Sequence, residues 1–123
     1  MNTECTNRNG RAIALVDGVD GVVIKDAQSA LDLLVAARYE AGAERMAIAK
    51  ELVSDDFFVL SSGLAGEILQ KYVNYQMKLA IYGDFSGYTS KPLHDFIYES
   101  NKGRDFFFVG TREEAIERLA EVQ

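Results

Sequence analysis

A chain of 123 residues, 48% hydrophobic and 26% charged, is long enough to bury a core without staples and too apolar for wholesale disorder. Its 19 acidic against 13 basic side chains leave a net charge of −6, which argues against a general nucleic-acid binder because that needs a basic face to neutralise phosphates. One cysteine, Cys5, and one histidine, His94, offer no internal disulfide, no zinc spacing and no nucleophile–base pair, so no metal, no cofactor and no catalytic residue is expected.

Residues 1–11 are polar and read as a flexible N-terminal tail without the apolar segment of a signal peptide. Residues 12–123 read as a single α/β domain. Ala12 to Val16, the turn residues Asp17-Gly18-Val19-Asp20-Gly21, and Val22 to Ile24 predict a hairpin with a loop of several residues. Asp26 is placed to cap a helix whose apolar period is Ala27, Ala30, Leu31, Leu34, Val35 and Arg38/Tyr39, and Gly42 stops it. Arg45 to Ala49 predicts a short central strand. Ser54-Asp55-Asp56 then starts a single helical turn that buries Phe57 or Phe58.

The central helix is expected from about Gly63 to Tyr75. Its apolar residues fall in pairs, Leu64/Ala65, Ile68/Leu69 and Tyr72/Val73, which makes one wide apolar face. Glu67 and Lys71 are spaced to pair on the other side. Met77 to Tyr82 is an apolar strand covered on both faces. Gly83 to Thr89 is a loop, and Ser90 caps a helix with Pro92 in its first turn and Leu93, Phe96 and Ile97 facing inward. After Asn101-Lys102-Gly103, Asp105 to Val109 is the last strand. Thr111 and Glu114 make a capping box for a final helix in which Glu114 and Arg118 pair. The order β-β-α-β-α-β-α-β-α implies a mixed central sheet of about five strands with four helices. No apolar run is long enough to span a bilayer, and a reducing, cytoplasmic setting is the default expectation.

Ser61-Ser62-Gly63-Leu64 is the most suggestive stretch. A hydroxyl at a helix start accepts a bond from a backbone N–H that has no partner inside the helix, and the same place favours an anion. Ser62 is therefore either an ordinary capping residue or a phosphoacceptor, with Ser61 beside it. The element order and this stretch resemble the STAS domain of bacterial anti-sigma-factor antagonists, whose motif is Asp-Ser-Ser-Gly-Leu. The acidic position of that motif is Leu60 here. The resemblance implies a STAS-like fold, with Ser62 as the serine that a partner kinase phosphorylates. A second resemblance covers about residues 22–120. Phe57-Phe58, Gly63 to Lys71, Val73-Asn74-Tyr75, Ala80-Ile81, Gly83-Asp84-Phe85, Ser90-Lys91, Asp95 to Asn101 and Gly103-Arg104 look like domain-of-unknown-function family 4180. That likeness implies a small bacterial domain and no particular chemistry.

Two functions follow as expectations. The first is a non-enzymatic regulatory or protein-interaction module, switched by phosphorylation at the start of the central helix. Its interface candidates are Gly63, Glu67, Gln70, Lys71 and Asn74, and its partner is a kinase or another regulator. The alternative is a small-molecule or anion-binding domain, an enzyme included, built on the loop 84–90. Its ligand candidates are Asp84, Ser86, Thr89 and Ser90, with Asn101 and Arg104 converging on them. The simpler reading of the first group is a solvated helix face, and of the second, loop residues satisfying their own backbone. Self-association through a strand edge or a tyrosine-bearing face is a further expectation. No nucleic-acid or membrane partner is expected.

Overall fold

The computed structural model describes residues 4–122. Strands β1 (Glu4–Arg8) and β2 (Arg11–Val16) form an antiparallel hairpin. Asn9 and Gly10 join them with φ of 56° and 77°, the two left-handed residues of a two-residue hairpin turn. Helix α1 (Ala27–Ala41) and strand β3 (Arg45–Ala49) follow. Three short 3₁₀ turns (Lys50–Leu52, Asp55–Phe58 and Leu60–Ser62) lead into α2 (Leu64–Asn74), then β4 (Lys78–Tyr82), α3 (Lys91–Lys102), β5 (Phe106–Val109) and α4 (Arg112–Glu121). The fold is α/β, with one mixed five-stranded sheet in the order β1-β2-β3-β4-β5, parallel from β2 onward.

That order explains the layers. Each crossover moves one strand in the same direction, so right-handed connections put α1, α2 and α3 on one face of the sheet. Ala14, Val16, Met46, Ile48, Leu79, Ile81 and Phe108 point into that larger core. The alternate residues Ile13, Leu15, Ala47, Ala80, Phe107 and Val109 point the other way, against α4 alone. Alanines at the middle of this second face let α4 lie close to the strands. The guanidinium groups of Arg11 and Arg45 donate to the carbonyls of Leu119, Ala120 and Val122, so two cations close the C-terminal end of α4. Burial and the neighbouring Arg11 push the Arg45 guanidinium below its ordinary pKa.

Local signals place most elements. Asp26 accepts from the Ser29 N–H while the Ser29 hydroxyl accepts from the Asp26 N–H, a reciprocal cap at the start of α1. Gly42 ends that helix with φ of 62°. Ser90 and Thr111 cap α3 and α4 through the N–H groups of Leu93 and Glu114.

Four expectations are corrected. Within the stretch expected to be a tail, Glu4–Arg8 form β1. Val22 to Ile24 do not pair with β2, because β1 and β3 already occupy its two sides. Instead Ile24 bridges Val53, and the N–H groups of Val23 and Ile24 both bond to the Leu52 carbonyl. The expected strand count thus survives through two offsetting differences. Helix α1 buries Ala30, Leu33, Leu34 and Ala37, leaving Val35 and Tyr39 exposed, since it packs against α2 as well as the sheet. Neither Glu67–Lys71 nor Glu114–Arg118 forms an ion pair among the described residues. Arg118 lies 4.4 Å from the Phe107 ring centroid and donates to the Asn101 carbonyl.

Candidate functional site

The approach to α2 is a tight double turn. Ser54 starts the Asp55–Phe58 turn by accepting from the Asp56 N–H at 3.2 Å, and this drives Phe57 and Phe58 into the core. The chain then exposes Val59, turns through Leu60–Ser62 and reverses at Gly63, whose φ of 78° suits glycine. Gly63, not Ser62, is the N-cap of α2, and it has no side chain with which to cap the helix. Ser62 stands one residue further out. Its hydroxyl donates to the Asp56 carbonyl at 2.7 Å and accepts from the Leu64 N–H at 3.2 Å, tying the two turns together. Ser61, Ser62 and Gly63 are all exposed, so the corner is open to solvent. Along α2, Glu67, Gln70 and Asn74 are exposed and Lys71 is half-buried. Gln70 donates to Asn74 at 3.1 Å.

The loop after β4 divides. Asp84 accepts from the Ser86 N–H at 2.8 Å, and its bonds with Ser86 hold the carboxyl below the usual carboxylate range. Thr89 and Ser90 are exposed, Ser90 serving as the cap of α3. Asn101 and Arg104 lie elsewhere. The Asn101 amide grips β5, donating to the Phe108 carbonyl at 3.0 Å and accepting from the Phe108 N–H at 2.7 Å. Arg104 precedes β5, and its carbonyl accepts from Lys78 at 2.9 Å at the N-terminal end of β4. Asp84 follows the opposite end of that strand. The expected convergence of Asp84, Ser90 and Arg104 does not occur, because neighbouring parallel strands carry their leading and trailing loops to opposite ends of the sheet.

What does come together is Ser61 from the first predicted site with Thr89 and Ser90 from the second. Val59, Leu60 and Ser61 from the double turn face Gly87, Tyr88, Thr89, Ser90, Pro92 and Leu93 across a groove of about 490 Å³, with Asp55 at its rim. Aromatic packing stiffens its wall. Phe58 stacks on Tyr88 with ring centroids 5.1 Å apart, and Phe85 and Phe108 pack behind them. The Lys50 ammonium lies 4.9 Å from the Tyr88 ring centroid. Val59 remains 51% exposed on the groove's other side.

A second cleft, of about 570 Å³, escaped the sequence reading. Asp17 after β2, Glu51 after β3, Tyr82 at the end of β4 and Arg112 at the start of α4 line it, with Gly18, Val19 and Asp20 as its lip. The Tyr82 hydroxyl donates to an Asp17 carboxylate oxygen at 2.9 Å, and Arg112 Nε approaches the same oxygen at 3.1 Å. The other end of Arg112 lies 3.6 Å from Glu4. Burial, then the bond to Asp17, pushes the Tyr82 phenol well above its ordinary pKa. The available signal was positional: these residues all stand at the C-terminal ends of strands, where open α/β sheets gather ligands. No group of metal-binding side chains forms among the described residues.

One protein-family model matches residues 8–119, nearly the whole chain. The chain belongs to that family, described as Domain of unknown function (DUF4180). The matched span of DUF4180 takes in both clefts and begins at the last residue of β1. No curated protein and no solved structure matches the chain. Among the described residues no helix is long and apolar enough to cross a membrane.

Proposed function

We propose that this DUF4180 domain is a non-enzymatic protein-interaction module whose groove between Val59 and Tyr88 receives a short segment of another protein. The carrying observation is the exposed apolar wall. Val59, Pro92 and the ring of Tyr88 flank a concave surface held by a packed aromatic cluster, and no segment of the described chain fills it. Charge suggests what would. Asp55 and Asp56 are exposed and form no ion pair among the described residues, and the chain carries −6. An apolar anchor flanked by Lys or Arg meets both features.

Regulation fits the same corner, as the likeness to anti-sigma-factor antagonists implies. A phosphate on Ser62 would replace the hydroxyl proton that now bonds Asp56 and add about −1.5 to −2 charges at the groove's edge. The turn that carries Val59 would loosen as a result.

Panning a random-peptide display library against the full chain tests the reading. Selected peptides are expected to share an apolar anchor beside a basic residue and to bind Val59→Asp at least about tenfold more weakly, a loss of about 1.4 kcal/mol. Peptides that bind Val59→Asp and Tyr88→Ala as well as the parent chain would overturn it.

A second reading, a small-molecule or anion-binding domain, is favoured by the convergence of strand ends at Asp17. It moves the ligand site from the loop 84–90 to that cleft. An anion there must draw Arg112 away from Asp17 and Glu4. A melting screen with phosphate and nucleotides separates the readings. A rise in Tm that Arg112→Met abolishes supports the ligand domain, whereas unchanged melting favours the interaction module.

A further inference from the structure

The two edges of the sheet end differently. At β5 the side chain of Asn101 fills the outward-facing N–H and C=O of Phe108, as a neighbouring strand would, and Arg118 in turn binds the Asn101 carbonyl. That edge is partly closed from within. Among the described residues β1 has no such cover. The two-residue Asn9-Gly10 turn makes Arg8 and Arg11 a hydrogen-bonded pair, and pairs alternate from there. Thr6 and Glu4 therefore turn their backbone groups toward β2, while Cys5 and Asn7 turn theirs away. No hydrogen bond reaches the backbone groups of Cys5 or Asn7 among the described residues.

The side chains of this edge complement themselves. Glu4, Thr6 and Arg8 share one face, since Glu4 and Arg8 both reach α4, at Arg112 and Glu113. Cys5 and Asn7 occupy the other. A two-fold axis through Thr6 sets Cys5 opposite the partner's Asn7, so that both outward-facing backbone pairs are used. It also sets Thr6 opposite the partner's Thr6, and Glu4 opposite the partner's Arg8. Thr–Thr and opposite-charge pairs are among the cross-strand contacts that stabilise antiparallel strands. Shifting the axis to Cys5 sets Glu4 against Thr6 and loses the charge pairing. Shifting it by half a residue sets an outward-facing backbone pair against an inward-facing one. An edge guarded by charges of one sign would repel its own copy. This one alternates, and the existing pairs extend it into a run of Arg112, Glu4, the partner's Arg8 and the partner's Glu113.

We propose that β1 pairs with β1 of a second copy of this chain, antiparallel and centred on Thr6, so that one continuous sheet runs through a symmetric dimer. This surface lies at the far edge of the sheet from β5 and is independent of the groove at Val59.

Sedimentation of the full chain tests the association. Dimers are expected within a range reaching about 1 mM. Glu4→Arg alone and Arg8→Glu alone each set like charges opposite one another and should raise the dimer dissociation constant at least about tenfold. An equal mixture of the two variants should recover dimers, because Arg at position 4 of one then faces Glu at position 8 of the other. The register has its own readout. In a Cys5→Ser background, Thr6→Cys places two thiols in a non-hydrogen-bonded pair, within disulfide reach, and mild oxidation should give a covalent dimer. The parent chain, with Cys5 facing Asn7, should not cross-link under the same conditions. A parent chain that stays monomeric throughout that range would overturn the proposal. So would a dimer indifferent to both charge reversals, or a Thr6→Cys chain that oxidises no faster than the parent.

Discussion

Two clefts open at the C-terminal end of the same sheet and solve opposite problems. In the cleft at Asp17, charged and phenolic groups at its centre satisfy one another: Tyr82 and Arg112 share an oxygen of Asp17, and Glu4 takes the far end of Arg112. In the groove at Val59, an aromatic wall is assembled and its apolar surface is left open. Buried or half-buried polar groups are costly without partners, so mutual pairing at the first cleft serves the fold whether or not a ligand ever enters. Open apolar surface serves no such purpose, which is why the groove makes the better case for recognition.

Substitutions can break this contrast in order of expected size. Phe108→Ala should act most strongly. The ring is buried and touches Phe57, Phe85 and Phe96, so its loss should cost about 3–5 kcal/mol in urea unfolding and abolish groove binding together with stability. A groove that still binds its selected peptides after that change would show that the aromatic cluster does not shape it.

Tyr82→Phe comes next, at about 0.5–1.5 kcal/mol near neutral pH for one lost hydrogen bond. Its pH dependence is the sharper test. The folded state holds the Tyr82 proton above the ordinary value of 10.0, so the unfolded chain loses that proton first as pH rises. The stability involved is present below pH 10.0 and declines as pH climbs toward the folded value. Tyr72, raised by burial, contributes a loss of the same sign. Unfolding measured at about pH 9 and about pH 11 should therefore show an alkaline loss that Tyr82→Phe reduces. An unchanged loss would detach Tyr82 from the polar cleft. Val59→Asp sits at the bottom of the scale, with stability changed by no more than about 0.5 kcal/mol because the residue is half exposed. The contrast is sharpest if that variant folds normally and still loses its peptides.

Asn9-Gly10 was the strongest missed signal. This dipeptide favours a two-residue hairpin turn, and here it joins β1 to β2. The polar composition of Glu4–Arg8 concealed the strand, because an edge strand with three of its five residues exposed needs no alternating apolar pattern. Ser62 was found in part, since its hydroxyl does accept from the first N–H of α2, that of Leu64. The spacing located an exposed hydroxyl beside α2, but the left-handed turn at Gly63 moved the cap by one residue and turned the hydroxyl toward Asp56.

The amino-acid sequence by itself determined the order and type of most elements, the cap at Asp26, the stop at Gly42 and the burial of an aromatic ring at Phe57 or Phe58. These depend on bonds and contacts among residues a few positions apart, which spacing records directly. Tertiary structure alone decided which loops share an end of the sheet. It brought Asp17 to Tyr82 across 65 positions, sent Arg104 to the opposite end from Asp84, and left β1 as the open edge. Strand order and crossover direction set those distances, and both belong to the packing of the whole sheet rather than to any one stretch of chain.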